Sequence, residues 1–284
     1  MSCNKKIIIS IISTLIISAI IGAFLLEFYL QSNKYDESVI QTSINSKIMG
    51  EERDVIIHLP ENYEVNTTKK YPVMYVLDGT SQDIHTAFKI DILSKVKLFP
   101  EAIVVGIPNT SGNRSRDFTP HYMKIDVEEA NSDLGNGDNF LKFIETELIP
   151  YINSNYRQNG FSSISGNSRG GLFTLYALLE RPELFDAYMC YSPAFWREDY
   201  LIVNKTKAFF NSEHNIKTHL FMSLGDLEND KMKKGYNAMV SLINGFNYDD
   251  LDFKHQITKN ANHQSNSYKS TVYALEWLGN VLQN

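Results

Sequence analysis

One serine set among glycines constrains this chain more than any other feature. Residues 163–171 read SISGNSRGG, which places Ser168 inside Gly166-Asn-Ser-Arg-Gly170. A short β-type run precedes it, and a long apolar run, LFTLYALLERPELF, follows it. A chain that leaves a strand and enters a helix within two residues must bend sharply. Its central residue is forced into a strained backbone conformation, and side chains two positions away collide. Glycine at 166 and 170 removes that collision. Gly171 lets the helix lie close to the neighbouring strands. The pattern predicts a strand–serine–helix unit. The Ser168 hydroxyl then sits at the end of a sheet, with the positive end of a helix aimed at it.

The rest of the chain supplies the sheet. Residues 53–60, 71–79, 101–108, 162–166, 187–192, 218–225 and 252–258 read as strands. Several are short unbroken apolar runs, the pattern of a strand covered on both faces of a mostly parallel sheet. Helical spacing appears at 136–156, after Ser168, at 229–246 and at 264–283. Pro182 marks the end of the helix after the serine. Alternating strands and helices predict a three-layer α/β domain with a mostly parallel central sheet. With 43% hydrophobic residues over 284 positions, one such domain fills residues 36–284.

Composition narrows the partners. The formal net charge is −6 and no basic stripe appears, which argues against nucleic acid. Two cysteines, Cys3 and Cys190, exclude a disulfide framework. Without a Cys/His cluster no metal site is expected, and no cofactor is required.

The first 35 residues differ from the rest. Lys5 and Lys6 precede IIISIISTLIISAIIGAFLL, an uncharged run over 7–26. At ~1.5 Å per helical residue such a run spans roughly 30 Å, the thickness of a bilayer core. The h-region of a cleaved signal is shorter, about 7–15 residues. Residues 1–35 are therefore expected to be an uncleaved transmembrane anchor and tether. The flanking lysines favour an N-terminus in the cytoplasm. The domain then lies beyond the inner membrane, in the periplasm or another extracytoplasmic space. Secretion after signal cleavage is the alternative.

A serine hydroxyl needs a base to take its proton and an acid to orient that base. At a Gly-x-Ser-x-Gly turn the chain order is serine, acid, histidine. The loop SLGDLEND (223–230) follows a late strand and offers Asp226, Glu228 and Asp230. The loop KNANHQSNS follows the last strand and carries His263. Of the seven histidines only His263 stands in such a loop at that place, whereas His255 falls within a strand pattern.

Taken together these segments resemble the putative-esterase family of α/β-hydrolases, which includes esterase D, enterochelin and feruloyl esterases and mycobacterial mycolyltransferases. The resemblance runs from about residue 50 to the C-terminus. It rests on YPVMYVLDG (71–79), VVGIPNT (104–110), RSRDFTP (114–120), the serine segment, YSPAFW (191–196) and the two late loops. It implies the α/β-hydrolase fold, with Ser168 as nucleophile, His263 as general base and Glu228 as acid. Asp226 is the alternative acid. It also implies an oxyanion hole built from the backbone N–H of Arg169 and that of Thr80 or Gly79. In RSRDFTP, Arg116 and Asp117 either line the pocket or pair internally, and Trp196 either lines the pocket or packs in the core. Asp78 is read as a brace for its loop. The expected activity is hydrolysis of a small-molecule carboxylic ester or thioester through an acyl-enzyme. Acyl transfer by the same residues, peptidase action and a non-catalytic binding module are the alternatives.

Overall fold

The structure, a computed structural model, describes residues 12–23, 38–110, 112–125, 133–212, 217–246 and 250–283. By its internal contacts the chain divides into Met1–Val39 and Ile40–Asn284. Residues 12–23 are helical. The rest of the apolar run 7–26 lies outside the described residues, among which no helix is long and apolar enough to cross a membrane.

In the second unit eight strands form one sheet. They are β1 (Val39–Ser46), β2 (Glu51–His58), β3 (Tyr71–Gly79), β4 (Ile103–Pro108), β5 (Gln158–Asn167), β6 (Ala187–Tyr191), β7 (Thr218–Gly225) and β8 (Leu251–Thr258). Their spatial order is β1-β2-β4-β3-β5-β6-β7-β8. The pair β2–β4 is antiparallel, while β4, β3, β5, β6, β7 and β8 run parallel to their neighbours. This is the α/β-hydrolase-like architecture expected.

The alternation of side chains along β3 shows why both faces are covered. Val73, Tyr75 and Leu77 enter one core with Phe118, Phe140 and Phe173. Met74 and Val76 enter another with Ile90, Leu275 and Leu278. Two cores on opposite faces of one strand require helices on both sides, which makes three layers.

Four elements depart from the sequence expectation. The edge strand β1 is rich in polar residues and largely exposed or half-exposed, so it lacks the apolar run that marks the inner strands. The helix Gln82–Lys95 spreads its apolar residues around its circumference, leaving Phe88 and Ile92 in solvent. The helix Arg197–Asn211 carries three left-handed residues near its start, Glu198, Asp199 and Tyr200. Within the expected helix at 136–156, residues Ile144–Leu148 form a π-helical turn before Ile149–Asn155. Pro150 has no N–H to continue the regular ladder there.

Candidate active site

Parallel strands end on one edge of the sheet, and the loops beyond those ends share a crevice. Ser168 follows β5 directly, Glu228 comes three residues after β7, and His263 comes five after β8. The fold thus gathers residues far apart in sequence.

Ser168 has φ 60° and ψ −116°, between β5 and the helix Arg169–Glu180. Such a conformation costs about 1–3 kcal/mol outside glycine and survives only where its surroundings impose it. Here the Ser168 N–H donates to the Tyr191 carbonyl at 2.9 Å, and the Ser168 carbonyl accepts from Ala194 N at 3.0 Å. Gly166 is required by close approach: a Cβ there would lie 2.4 Å from the backbone carbonyl of Gly170.

The Ser168 hydroxyl lies 2.8 Å from Nε2 of His263. On the other side of the ring, Nδ1 lies 3.0 Å from Oε2 and 3.2 Å from Oε1 of Glu228. The Glu228 side chain is wholly buried, whereas that of His263 is 42% exposed. A second donor, the Ser192 hydroxyl, reaches Glu228 Oε1 at 2.5 Å. These contacts fix one tautomer: Nδ1 donates to the carboxylate, leaving the Nε2 lone pair for the serine proton.

The alternative acids lie elsewhere. The carboxylate of Asp226 accepts from Ala261 N at 3.2 Å and braces the histidine loop. Hydrogen bonds from the Asn260 and Ala261 backbone hold it below the usual carboxylate range. Asp230 opens the helix Asp230–Asn244 in solvent.

The end of β3 lies beside the serine turn. Gly79 is packed so tightly on β4 that a Cβ would come within 2.8 Å of Ile107 N and Pro108 N. Thr80 follows, exposed and left-handed at φ 86°. Asp78, also left-handed, braces this loop as expected. Its carboxylate accepts from Arg114 Nε at 2.5 Å, Arg114 Nη2 at 2.8 Å and Asn109 Nδ2 at 2.6 Å. Arg114 Nη2 also donates to the Asn167 carbonyl at 3.2 Å, tying the β3 loop to the residue before the serine. Arg114 stands in RSRDFTP, but its role was not legible from spacing. The Arg169 side chain is buried on Thr119. Its backbone N–H lies in the first helical turn, where N–H groups have no intrahelical acceptor.

Arg116 and Asp117 pair internally. Arg116 Nε donates to Asp117 at 2.7 Å and Nη2 to Glu51 at 2.7 Å. Arg53 Nη1 joins the same two acids at 2.7 and 2.8 Å. Burial alone would raise the Glu51 pKa, but Arg116 and Arg53 bring it below the usual carboxylate range.

Trp196 does line a cavity. That space, about 650 Å³, is bounded by Ile125, Trp196, Arg197, Glu198, Asp199, Tyr200 and Lys231. Lys231 Nζ lies 3.7 Å from the Trp196 ring centroid and the Arg197 guanidinium 4.9 Å from it. Glu198 turns its carboxylate to Ile125 N at 2.5 Å, closing one rim. Among the described residues no group of three or more His, Cys, Asp or Glu is arranged to hold a metal.

With this geometry in place, known proteins supply the family. The sequence model described as "Putative esterase" matches residues 46–268. The chain belongs to that family. It is thereby a carboxylic ester hydrolase. It is 29% identical over 196 residues to the ferri-bacillibactin esterase of Bacillus subtilis, covering 61% of this chain and 68% of that one. Against the siderophore triacetylfusarinine C esterase of Aspergillus fumigatus it is 26% identical over 217 residues, 71% of this chain and 68% of that one. Among solved structures it resembles an IroE-like serine hydrolase from Shewanella oneidensis. The TM-score is 0.76 at 29% identity, covering 84% of this chain and 78% of that one.

Proposed function

We propose that the protein is a serine esterase that uses Ser168, His263 and Glu228 to cleave a siderophore-type ester, one whose acyl part is aromatic and negatively charged. The observation that carries the chemistry is the continuous line of contacts from the Ser168 hydroxyl through the imidazole to a buried carboxylate. In the first step Ser168 attacks the ester carbonyl as its proton passes to His263 Nε2. Glu228 stabilises the imidazolium that forms. The oxyanion is held by the Arg169 N–H at the start of its helix and by the Thr80 N–H. Each such donor contributes about 3–4 kcal/mol. His263 then gives its proton to the leaving alcohol. Water, deprotonated by the same nitrogen, attacks the acyl-enzyme and releases the acid.

The charge preference rests on the Trp196 cavity. An indole with Lys231 and Arg197 beside its ring offers an apolar face and two positive charges, while of the two carboxylates on the same wall Glu198 is turned to Ile125 N and Asp199 stands beside it. A catechol-type acyl group fits that chemistry. The relatives named for siderophore esters support the siderophore part of the reading. The test is a panel of ferric siderophore esters beside neutral p-nitrophenyl esters. Lys231→Ala is expected to raise KM about tenfold for the anionic esters alone. An equal effect on both sets would contradict the assignment of this cavity.

We propose also that the uncharged run 7–26, with Lys5 and Lys6 before it, anchors the esterase outside the cytoplasm. A C-terminal reporter active only in the cytoplasm would contradict this placement.

A further inference from the structure

Beside Glu228 lies a chain of polar side chains that the reaction above leaves unused. Ser192, Ser223, Asn266 and Ser270 are all fully buried. A hydroxyl has one proton to give, so its direction in such a cluster can be worked out. Ser270 donates to the backbone carbonyl of Asn266 at 2.8 Å. Ser223 donates to Ser270 at 2.8 Å. The Asn266 amide donates one N–H to Ser223 and the other to Ser192, each at 3.0 Å. Ser192 is left with a single use for its proton, the Glu228 carboxylate at 2.5 Å.

The end of this chain dictates its direction. An ionised carboxylate only accepts, so Ser192 must donate to it. The other neighbour of Ser192 must then be a donor, which is the NH₂ side of Asn266. With the amide reversed, its oxygen would compete with Glu228 for the Ser192 proton. The observed orientation leaves Asn266 Oδ1 buried with no partner among the described residues. A buried acceptor without a donor is unfavourable, and here it accompanies an arrangement that serves the acid. The backbone is committed as well: Ser192 is left-handed at φ 42° and is held by its N–H on the Ser223 carbonyl at 2.8 Å. Asn266 lies three residues after His263, with its N–H on the Asn262 carbonyl at 2.9 Å. One segment thus carries the base and the group that sets the acid.

We infer that Ser192 and Asn266 are positioning residues for Glu228, forming a one-way hydrogen-bond relay that keeps the carboxylate facing His263 Nδ1. The inference rests on the Ser168–His263–Glu228 reading. Neither residue takes part in a chemical step; both act through the acid.

A double-mutant cycle in the full chain, read as kcat and KM on p-nitrophenyl butyrate, tests it. Ser192→Ala is expected to lower kcat about tenfold with KM unchanged, the size of losing one hydrogen bond to a charged group. In a Glu228→Gln background the same change is expected to cost less than about twofold, because the acceptor there is a neutral amide and no longer the charge that pairs with the imidazolium. Asn266→Asp replaces a donor by a competing acceptor without changing size, and is expected to match Ser192→Ala. Combining the two is expected to be no worse than either alone. An equal loss from Ser192→Ala in both backgrounds, or a change confined to KM, overturns the inference while the Glu228 assignment stands. Full kcat in Glu228→Gln alone overturns that assignment and the inference together.

Discussion

A Cβ placed on Gly225 would lie 2.1 Å from the carbonyl oxygen of Ala261. Gly225 ends the strand that leads to Glu228, and Ala261 lies in the loop that carries His263. The same carbonyl accepts from Leu227 N at 2.9 Å, and Asp226 N donates to the Thr258 carbonyl at 3.0 Å. The acid loop and the base loop are thus joined through their backbones. Gly225→Ala is expected to push them apart, lowering kcat/KM at least tenfold and stability by roughly 1–3 kcal/mol. Kinetics beside thermal melting would check both effects.

The two carboxylates of the acid loop separate in a direct comparison. Glu228→Gln removes the negative charge that pairs with the imidazolium, and is expected to lower kcat by about 10²-fold or more. Asp226→Asn keeps the shape of a loop brace that bonds the Ala261 backbone rather than the imidazole, and is expected to change kcat less than about threefold. Single-site kinetics on one ester suffices.

Arg114 links Asp78 to Asn167 and so joins the Thr80 loop to the serine turn. Arg114→Gln is expected to loosen the oxyanion donors and lower kcat about tenfold with little change in KM. An effect on KM alone would place Arg114 in substrate binding instead.

How much of this was legible in the sequence follows from where the information lies. The inner strands and the serine turn are local patterns, since apolar runs and glycine spacing are set by contacts close along the chain. Ser168 and His263 could be named because a known chain order and a loop position select them. Glu228 could be named only through resemblance, as three acids stand within five residues and only folding buries one. The Trp196 cavity was invisible because Arg197 and Lys231 are 34 positions apart and meet only around that ring. Ser192 and Asn266 are 74 positions apart, and nothing marks a lone serine or asparagine as a buried relay. The edge strand β1 and the helix Gln82–Lys95 were missed because neither has a clean apolar face to announce it.

Stability is expected to fall in mild acid through His85. Burial first, then the nearby Lys89 charge, lowers its pKa from the usual value to about 3. Its ring lies 3.0 Å from Lys89 Nζ and 3.0 Å from Gln82 Oε1. The unfolded chain therefore binds a proton here between about pH 6.5 and pH 3 that the folded chain refuses. Unfolding free energy falls as pH drops through that window, by at most ~1.4 kcal/mol per unit from this group. Denaturant melts of His85→Gln at pH 7, 5.5 and 4 are expected to show a shallower loss than the parent. Parallel curves would contradict this source of acid sensitivity.

The central claim is that the Ser168 hydroxyl is an activated nucleophile. Reaction of the full chain with a fluorophosphonate, followed by peptide mass mapping, tests it most directly. The account predicts one adduct, on Ser168, absent in Ser168→Ala and slowed at least about 10²-fold in His263→Ala. A folded protein that takes up no label, or takes it up equally well without His263, would contradict it.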